Sequence, residues 1–316
     1  MPRRRKRLWS VSALTGEPLS PALSRVLDSV AVNTSQRVSA EYERIASIAD
    51  PYELLRAATE RLAEAQQEVT ELARLRRRLI QDLHAQRLSY AQIGEAAGLS
   101  RGRIHQIRHT GPAPEGAFLG MGRVTIVTPL KREEHGGRPV VAVEDVTAAA
   151  RMEALARSFE LEAETEHVPL GGDIDLNRPG LVVICGPRLS AVMARAYERD
   201  PVLRWEHPGQ GWAVRDTRSG ELFASGQDDG SGRARDVAYL GRLPRPDGNG
   251  TFLVFTGIHP PGTLGVVALL TSDIGSLWGQ VGTGPFSVVI GVDYDPATHE
   301  PVKTELLTPL YRHDQP

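Results

Sequence analysis

The chain has 316 residues, 41% of them hydrophobic, and a formal charge of −2, which is enough apolar material for one sizeable core and a smaller helical module. The near-neutral total averages two unlike parts: residues 1–110 carry 18 Lys+Arg against 12 Asp+Glu, whereas residues 111–316 carry 19 against 27. A single cysteine, Cys185, excludes an intramolecular disulfide, and the absence of a clustered Cys/His set argues against a zinc site; no metal or other cofactor is expected, and a reducing cytoplasm is the natural setting.

The basic start, MPRRRKRLW, lacks the apolar run of a signal peptide, and no stretch is expected to supply the roughly 18 apolar residues of a membrane span. Residues 1–19 read as a disordered basic arm that opens a helical region over 20–110. Ser20-Pro21 followed by Leu23, Val26, Leu27 and Val30 has a cap, a first-turn proline and a helical stripe. After Asp50-Pro51 comes the longest predicted helix, 51–86. Leu55, Ala58, Leu62, Ala65, Val69, Leu72, Leu79 and Leu83 alternate spacings of three and four along it, interrupted only at Arg76. So narrow a stripe suits a dimeric coiled coil or an antiparallel partner within the chain. Dimerisation is the preferred reading, because one small DNA-reading unit contacts too few bases to be selective alone. Arg74, Arg76, Arg77 and Arg78 lie late in this helix, a cluster placed to reach the phosphate backbone, with Arg78 singled out for phosphate contact and a merely solvated basic face as the competing reading.

Residues 88–110 carry most of the functional information. With Gly98 at a tight turn, Ile93, Ala97, Leu99, Ile104 and Ile107 fall where two helices clamp together, Gly94 sits where the helices back onto one another, and Ser100 caps the second helix. Arg101, Arg103, His105, Gln106 and Arg108 are left on surfaces that do not pack, with guanidinium forks for guanine edges or phosphates and an amide for adenine. The stretch from Leu88 to Ile104 resembles the region-4 helix-turn-helix of sigma-70-like proteins, in its leucine-serine start, its glycine-leucine-serine turn and its basic second helix. The likeness covers about residues 72–111 and implies a double-stranded DNA partner. No region-2-like segment precedes it, so a complete sigma factor is not implied. The helix Arg101–Arg108 is also similar to those of small actinobacterial regulators.

The glycine- and proline-rich residues 111–122 read as a linker into an α/β module over 123–316 with a mixed sheet, giving a multi-part chain whose N-terminal half is all-α. Short β runs are expected at Val124–Val127, Val140–Val143 and near Leu161–Val168, and a helix at Asp145–Phe159. The strand Leu181–Ile184 ends in Cys185-Gly186-Pro187-Arg188 before a helix at Ser190–Arg199. Phe252–Phe255 repeats the arrangement, ending in Thr256-Gly257-Ile258-His259-Pro260-Pro261-Gly262-Thr263 before a helix from Leu264 to about Leu277. Hairpins are expected at Trp212–Ser225 and Phe286–Leu310.

Ligands of such sheets gather where strands end and helices begin. Gly186 and Arg188 on one turn, and Gly257, His259, Gly262 and Thr263 on the other, therefore form a candidate cleft for an anionic or nucleotide-like molecule, with Asp173 and Asp175 as acceptors for ribose hydroxyls or amines. Neither standard phosphate loop is present. The leading reading is a DNA-binding transcriptional regulator with a sensor module. Two others stay open: a DNA-tethered module that docks another protein, and an enzyme using Cys185 with His259, oriented by Asp173.

Overall fold

A computed structural model of the chain describes residues 40–132, 137–209 and 211–313. The expected arm over 1–19 and the helix near Ser20–Val30 lie outside the described residues. The chain divides into two compact units, Met1–Gln66 and Gln67–Pro316. In the first, a short helix α1 over residues 40–46 lies against the start of α2 (Pro51–Ala85), with Ile45 buried and Arg61 Nε 3.0 Å from Glu41 Oε2. Asp50 caps α2, accepting the Tyr52 and Glu53 N–H groups at 2.8 Å.

In the second unit, the end of α2 is followed by α3 (Tyr90–Ala97) and α4 (Arg101–Thr110), the expected helix-turn-helix. Ile80, Ile93, Ile104 and Ile107 close its small core; at about 1.5–3 kcal/mol for each buried side chain, this cluster outweighs the helix propensity of the short segments. Ala97 departs from expectation, since it is exposed and the clamp is completed by Ile80 from α2. The segment expected as a linker is also different. Pro114–Phe118 forms a 3-10 turn, and Phe118 and Leu119 are buried in the main core, anchoring the chain where a free tether was expected.

The sheet runs β12-β11-β9-β10-β5-β1-β4, with β13 also on β11. Its strands are β1 (Arg123–Pro129), β4 (Glu162–Val168), β5 (Leu181–Ile184), β9 (Arg235–Pro244), β10 (Thr251–Gly257), β11 (Phe286–Tyr294), β12 (Pro301–Leu306) and β13 (Tyr311–Arg312). β4, β1, β5 and β10 are parallel, and β9, β11, β12 and β13 continue antiparallel, so the sheet is mixed as expected. Two small sheets accompany it: β2 (Lys131–Arg132) with β3 (Pro139–Val140), and β6 (Leu203–Glu206), β7 (Ala213–Asp216) and β8 (Leu222–Ala224).

Alternate strand residues serve two cores. Ile126, Val182, Ile184, Leu253 and Phe255 pack against α5 (Val143–Ser158) and α7 (Pro260–Val281). Val127, Val183, Val254 and Tyr239 pack against α6 (Ala191–Tyr197) and the three-stranded sheet. Burial on both faces explains the unbroken apolar runs. The run expected as a strand over Val140–Val143 instead splits, because Val143 already opens α5. α7 is the one described helix long and apolar enough to cross a membrane, by length and composition; half of that window is buried inside the protein.

Gly94 is required by close approach: a Cβ there would stand 2.6 Å from the Leu99 carbonyl oxygen. Gly94→Ala is expected to cost about 1–3 kcal/mol locally. Hydrogen exchange checks it, with faster exchange at Ile93, Ile104 and Ile107 and unchanged protection at Val183 and Val254. Full protection across α3 and α4 would refute the steric argument.

Candidate functional site

Two groups of residues have the chemistry of sites. The first is the exposed face of the helix-turn-helix. α3 begins in a reciprocal box in which Ser89 Oγ accepts the Gln92 N–H at 3.3 Å and Gln92 Oε1 accepts the Ser89 N–H at 2.9 Å. Gly98 closes α3 at φ +67°, a left-handed position that suits glycine. Ser100 caps α4, its exposed hydroxyl accepting the Arg103 N–H at 3.1 Å and keeping its own O–H to donate. Arg101, Arg103, His105 and Gln106 are exposed on α4, and Arg103 donates to Gln106 Oε1 at 2.7 Å. Arg108 is half-buried; its guanidinium bonds the Tyr90 hydroxyl and lies over that ring. The His105 ring meets Tyr90 edge-on, with centroids 5.9 Å apart.

The arginines expected to follow the phosphate backbone do something else. Arg74 is buried and bonds Glu71 and the Phe159 carbonyl at the end of α5. Arg77 bonds the Gly111 carbonyl just past α4. Arg78 stands 5.1 Å from the Trp278 ring centroid on α7, with Asp82 at 3.7 Å. Arg78 thus lies over an aromatic face of the α/β module while its side chain stays half exposed.

The second group lines a cleft at the carboxyl ends of β1, β5 and β10. Its walls come from Lys131, Asp145, the Cys185–Leu189 turn, Trp205, Trp212, Thr256–Pro260 and Thr263. The chain leaves β1 through α5 toward β4 and leaves β5 toward β10 on the other side, so the cleft lies where the winding reverses. Space open to solvent included, it measures about 500 Å³. Of the expected residues, Gly186, Arg188, Gly257, His259 and Thr263 all line it. Asp173 and Asp175 do not: both are exposed on the β4–β5 connection, where Asp175 accepts the Asn177 N–H at 3.0 Å in a local turn.

Within the cleft, α7 supplies its own anion. Asp236 on β9 accepts the His259 and Gly262 N–H groups, each at 2.9 Å, and Thr263 Oγ1 accepts the Gly257 N–H at 3.0 Å. A Cβ at Gly257 would stand 2.2 Å from the His259 carbonyl oxygen, and one at Gly262 would stand 2.4 Å from Asp236 Oδ2. These glycines therefore serve the internal cap, and the backbone donors expected for a ligand anion are taken. His259 Nε2 pairs with Asp228 Oδ2 at 2.8 Å, and Lys131 with Asp145 at 2.6 Å. Arg188 is exposed and has no ion-pair or hydrogen-bond partner for its guanidinium among the described residues.

Cys185 faces the α6 core, and burial pushes its thiol up to about 12, so it is protonated at neutral pH. The His259 ring is oriented by Asp228, not by Asp173, and the support for a thiol–imidazole nucleophile is lost. A different constellation, invisible in the sequence, joins Ser287, His313 and Asp200: Ser287 Oγ is 3.0 Å from His313 Nε2, which is 3.7 Å from Asp200 Oδ1. All three side chains are buried, and one ring nitrogen meets both partners, which suits a structural polar network and leaves no path for a substrate.

Among the described residues, no group of three or more His, Cys, Asp or Glu side chains is placed to hold a metal ion. Set against protein-family models, curated proteins and solved structures, the chain matches none.

Burial raises the Asp236 carboxyl from its ordinary 3.8 to about 6. The folded protein therefore binds this proton before the unfolded chain does, and the residue's contribution to stability rises as pH falls from about 6 to about 4, by at most about 3 kcal/mol. Denaturation of wild type and Asp236→Asn should show the wild type gaining on the variant through that window. A pH-independent difference would place the ordinary ionised carboxylate at the α7 cap.

Proposed function

We propose that the chain is a sequence-specific transcriptional regulator of the cytoplasm that binds double-stranded DNA as a homodimer and adjusts that binding through a small ligand held in the α/β cleft. The observation that carries the DNA reading is the sidedness of α4. Ile104 and Ile107 are buried, while Arg101, Arg103, His105 and Gln106 stand exposed on a helix fixed by a serine cap and a left-handed glycine turn.

Dimerisation is supported by the apolar stripe of α2. Leu62 is 59% exposed, Val69 66% and Leu72 65%, a cost in water that a second helix removes. Coupling is supported by the arginines just described. α5 and α7 both begin at the cleft; Arg74 holds the far end of one and Arg78 stacks near the far end of the other, while Arg77, beside Arg78 in sequence, holds the end of the recognition helix. A ligand that shifts either cleft helix thus acts on the segment that positions α4.

The test is selection of bound fragments from a random DNA pool, followed by binding to the selected site. Arg103→Ala and Gln106→Ala should each cost about 1–3 kcal/mol and relax preference at one base position. Arg78→Ala should leave the salt dependence unchanged, as a residue engaged with Trp278 requires. Failure to enrich any sequence would overturn the reading.

Replacing both Leu62 and Val69 with aspartate buries charge in the seam and should give monomers with an intact α/β module and weak DNA binding. Analytical ultracentrifugation decides; a variant that stays dimeric assigns the interface elsewhere.

A further inference from the structure

Resting on the ligand-sensing reading, we propose that the cleft binds a nucleoside monophosphate, with the base against Trp205 and Trp212 and the single phosphate on Arg188. The charge distribution limits the anion. The helix end that would cradle a polyphosphate is filled by Asp236, Lys131 is held by Asp145, and Arg188 is left as a cation without a protein partner among the described residues. One guanidinium makes a two-pronged contact with one phosphate, and among the described residues the cleft has no glycine-rich loop for a second or third.

The other wall fits a planar ring. Trp205 and Trp212 meet edge to face at 6.3 Å, both half-buried and both lining the cleft. Tyr197 and Tyr239 back Trp205 and hold its ring in place. Its indole N–H is shielded from solvent and has no acceptor among the described residues, so the ring offers the cleft its flat face and edge rather than a donor. Between the two walls, Asp145 lines the cleft and is buried beside Lys131, where its carboxylate can accept a ribose hydroxyl. Apolar wall, sugar acceptor and single cation thus line one cleft that opens to solvent.

The experiment is calorimetric titration of the full chain, without DNA, with AMP, GMP, CMP and UMP, the corresponding nucleosides, ADP, ribose 5-phosphate and inorganic phosphate. At least one monophosphate should bind, with its nucleoside, its sugar phosphate and free phosphate each weaker by about tenfold or more, the loss expected for one charge-assisted contact or one stacked ring. Arg188→Ala should erase the preference for monophosphate over nucleoside, and Trp205→Ala, which removes the stacking ring, should weaken both by about tenfold. Thermal unfolding of each variant alone separates lost binding from lost folding. Equal binding of free phosphate, an unchanged response in Arg188→Ala, or no binding by any monophosphate would overturn the proposal. If operator binding still responds to cell extract when no monophosphate binds, sensing stands and this ligand class falls; monophosphate binding by a protein that selects no DNA sequence gives the reverse.

Discussion

Helix α7 is held at both ends by charges carried on one buried strand, and the α/β module is arranged around that constraint. At its start, Asp236 accepts two backbone N–H groups; at its end, Arg242 donates to the Gly282 and Gly284 carbonyls and to Phe118, with Phe118 and Phe286 against its guanidinium. An acid at the helix start and a cation at its end complement the helix dipole from within. Burial makes both expensive, lowering Arg242 to about 10 while it raises Asp236, so each is tolerated only because the hydrogen bonds it makes leave few backbone groups unmet. Phe118 belongs to the turn that follows α4, so the same strand also fixes where the two short helices α3 and α4 join the core.

The cleft inherits its character from this arrangement. A doubly wound sheet ordinarily offers helix starts to anions; here the start of α7 is neutralised internally, and the groups left facing the cleft are side chains. Cation, carboxylate and aromatic wall then stand on separate segments: the turn after β5, the first turn of α5, and the small sheet over the other face. Three segments that converge without forming one rigid loop can respond to an occupant, and two of the helices that start at the cleft reach the arginines of α2.

Much of this was legible in the sequence where local chemistry repeats a simple pattern. The turn glycine, the caps and the isoleucines placed α3 and α4, and the paired strand-end glycines placed five of the cleft residues. What was missed depends on distant partners. β9 gave no strand signal because Asp236, Gly241 and Arg242 interrupt its apolar period, and their positions make sense only beside α7 and Phe118. Trp205 and Trp212 reach the cleft through a sheet on the opposite face from α7, which spacing does not reveal. The run of arginines shows the charge of Arg78 but not the Trp278 ring it lies over. Asp173 and Asp175 were close in sequence to the right strand but precede it, at the end away from the cleft.

The pairing of Arg103 with Gln106 bears on how a protein of this kind would search. Arg103 donates one of its N–H groups to the Gln106 amide oxygen at 2.7 Å on an exposed face, and under the proposed DNA reading a base that engages the fork competes with that bond. Under that reading, a sequence with partners for both side chains compensates the lost bond most fully. Over most of a genome the helix would then ride on phosphates alone, loosely and briefly, and would open its fork only where adjacent bases engage both residues together.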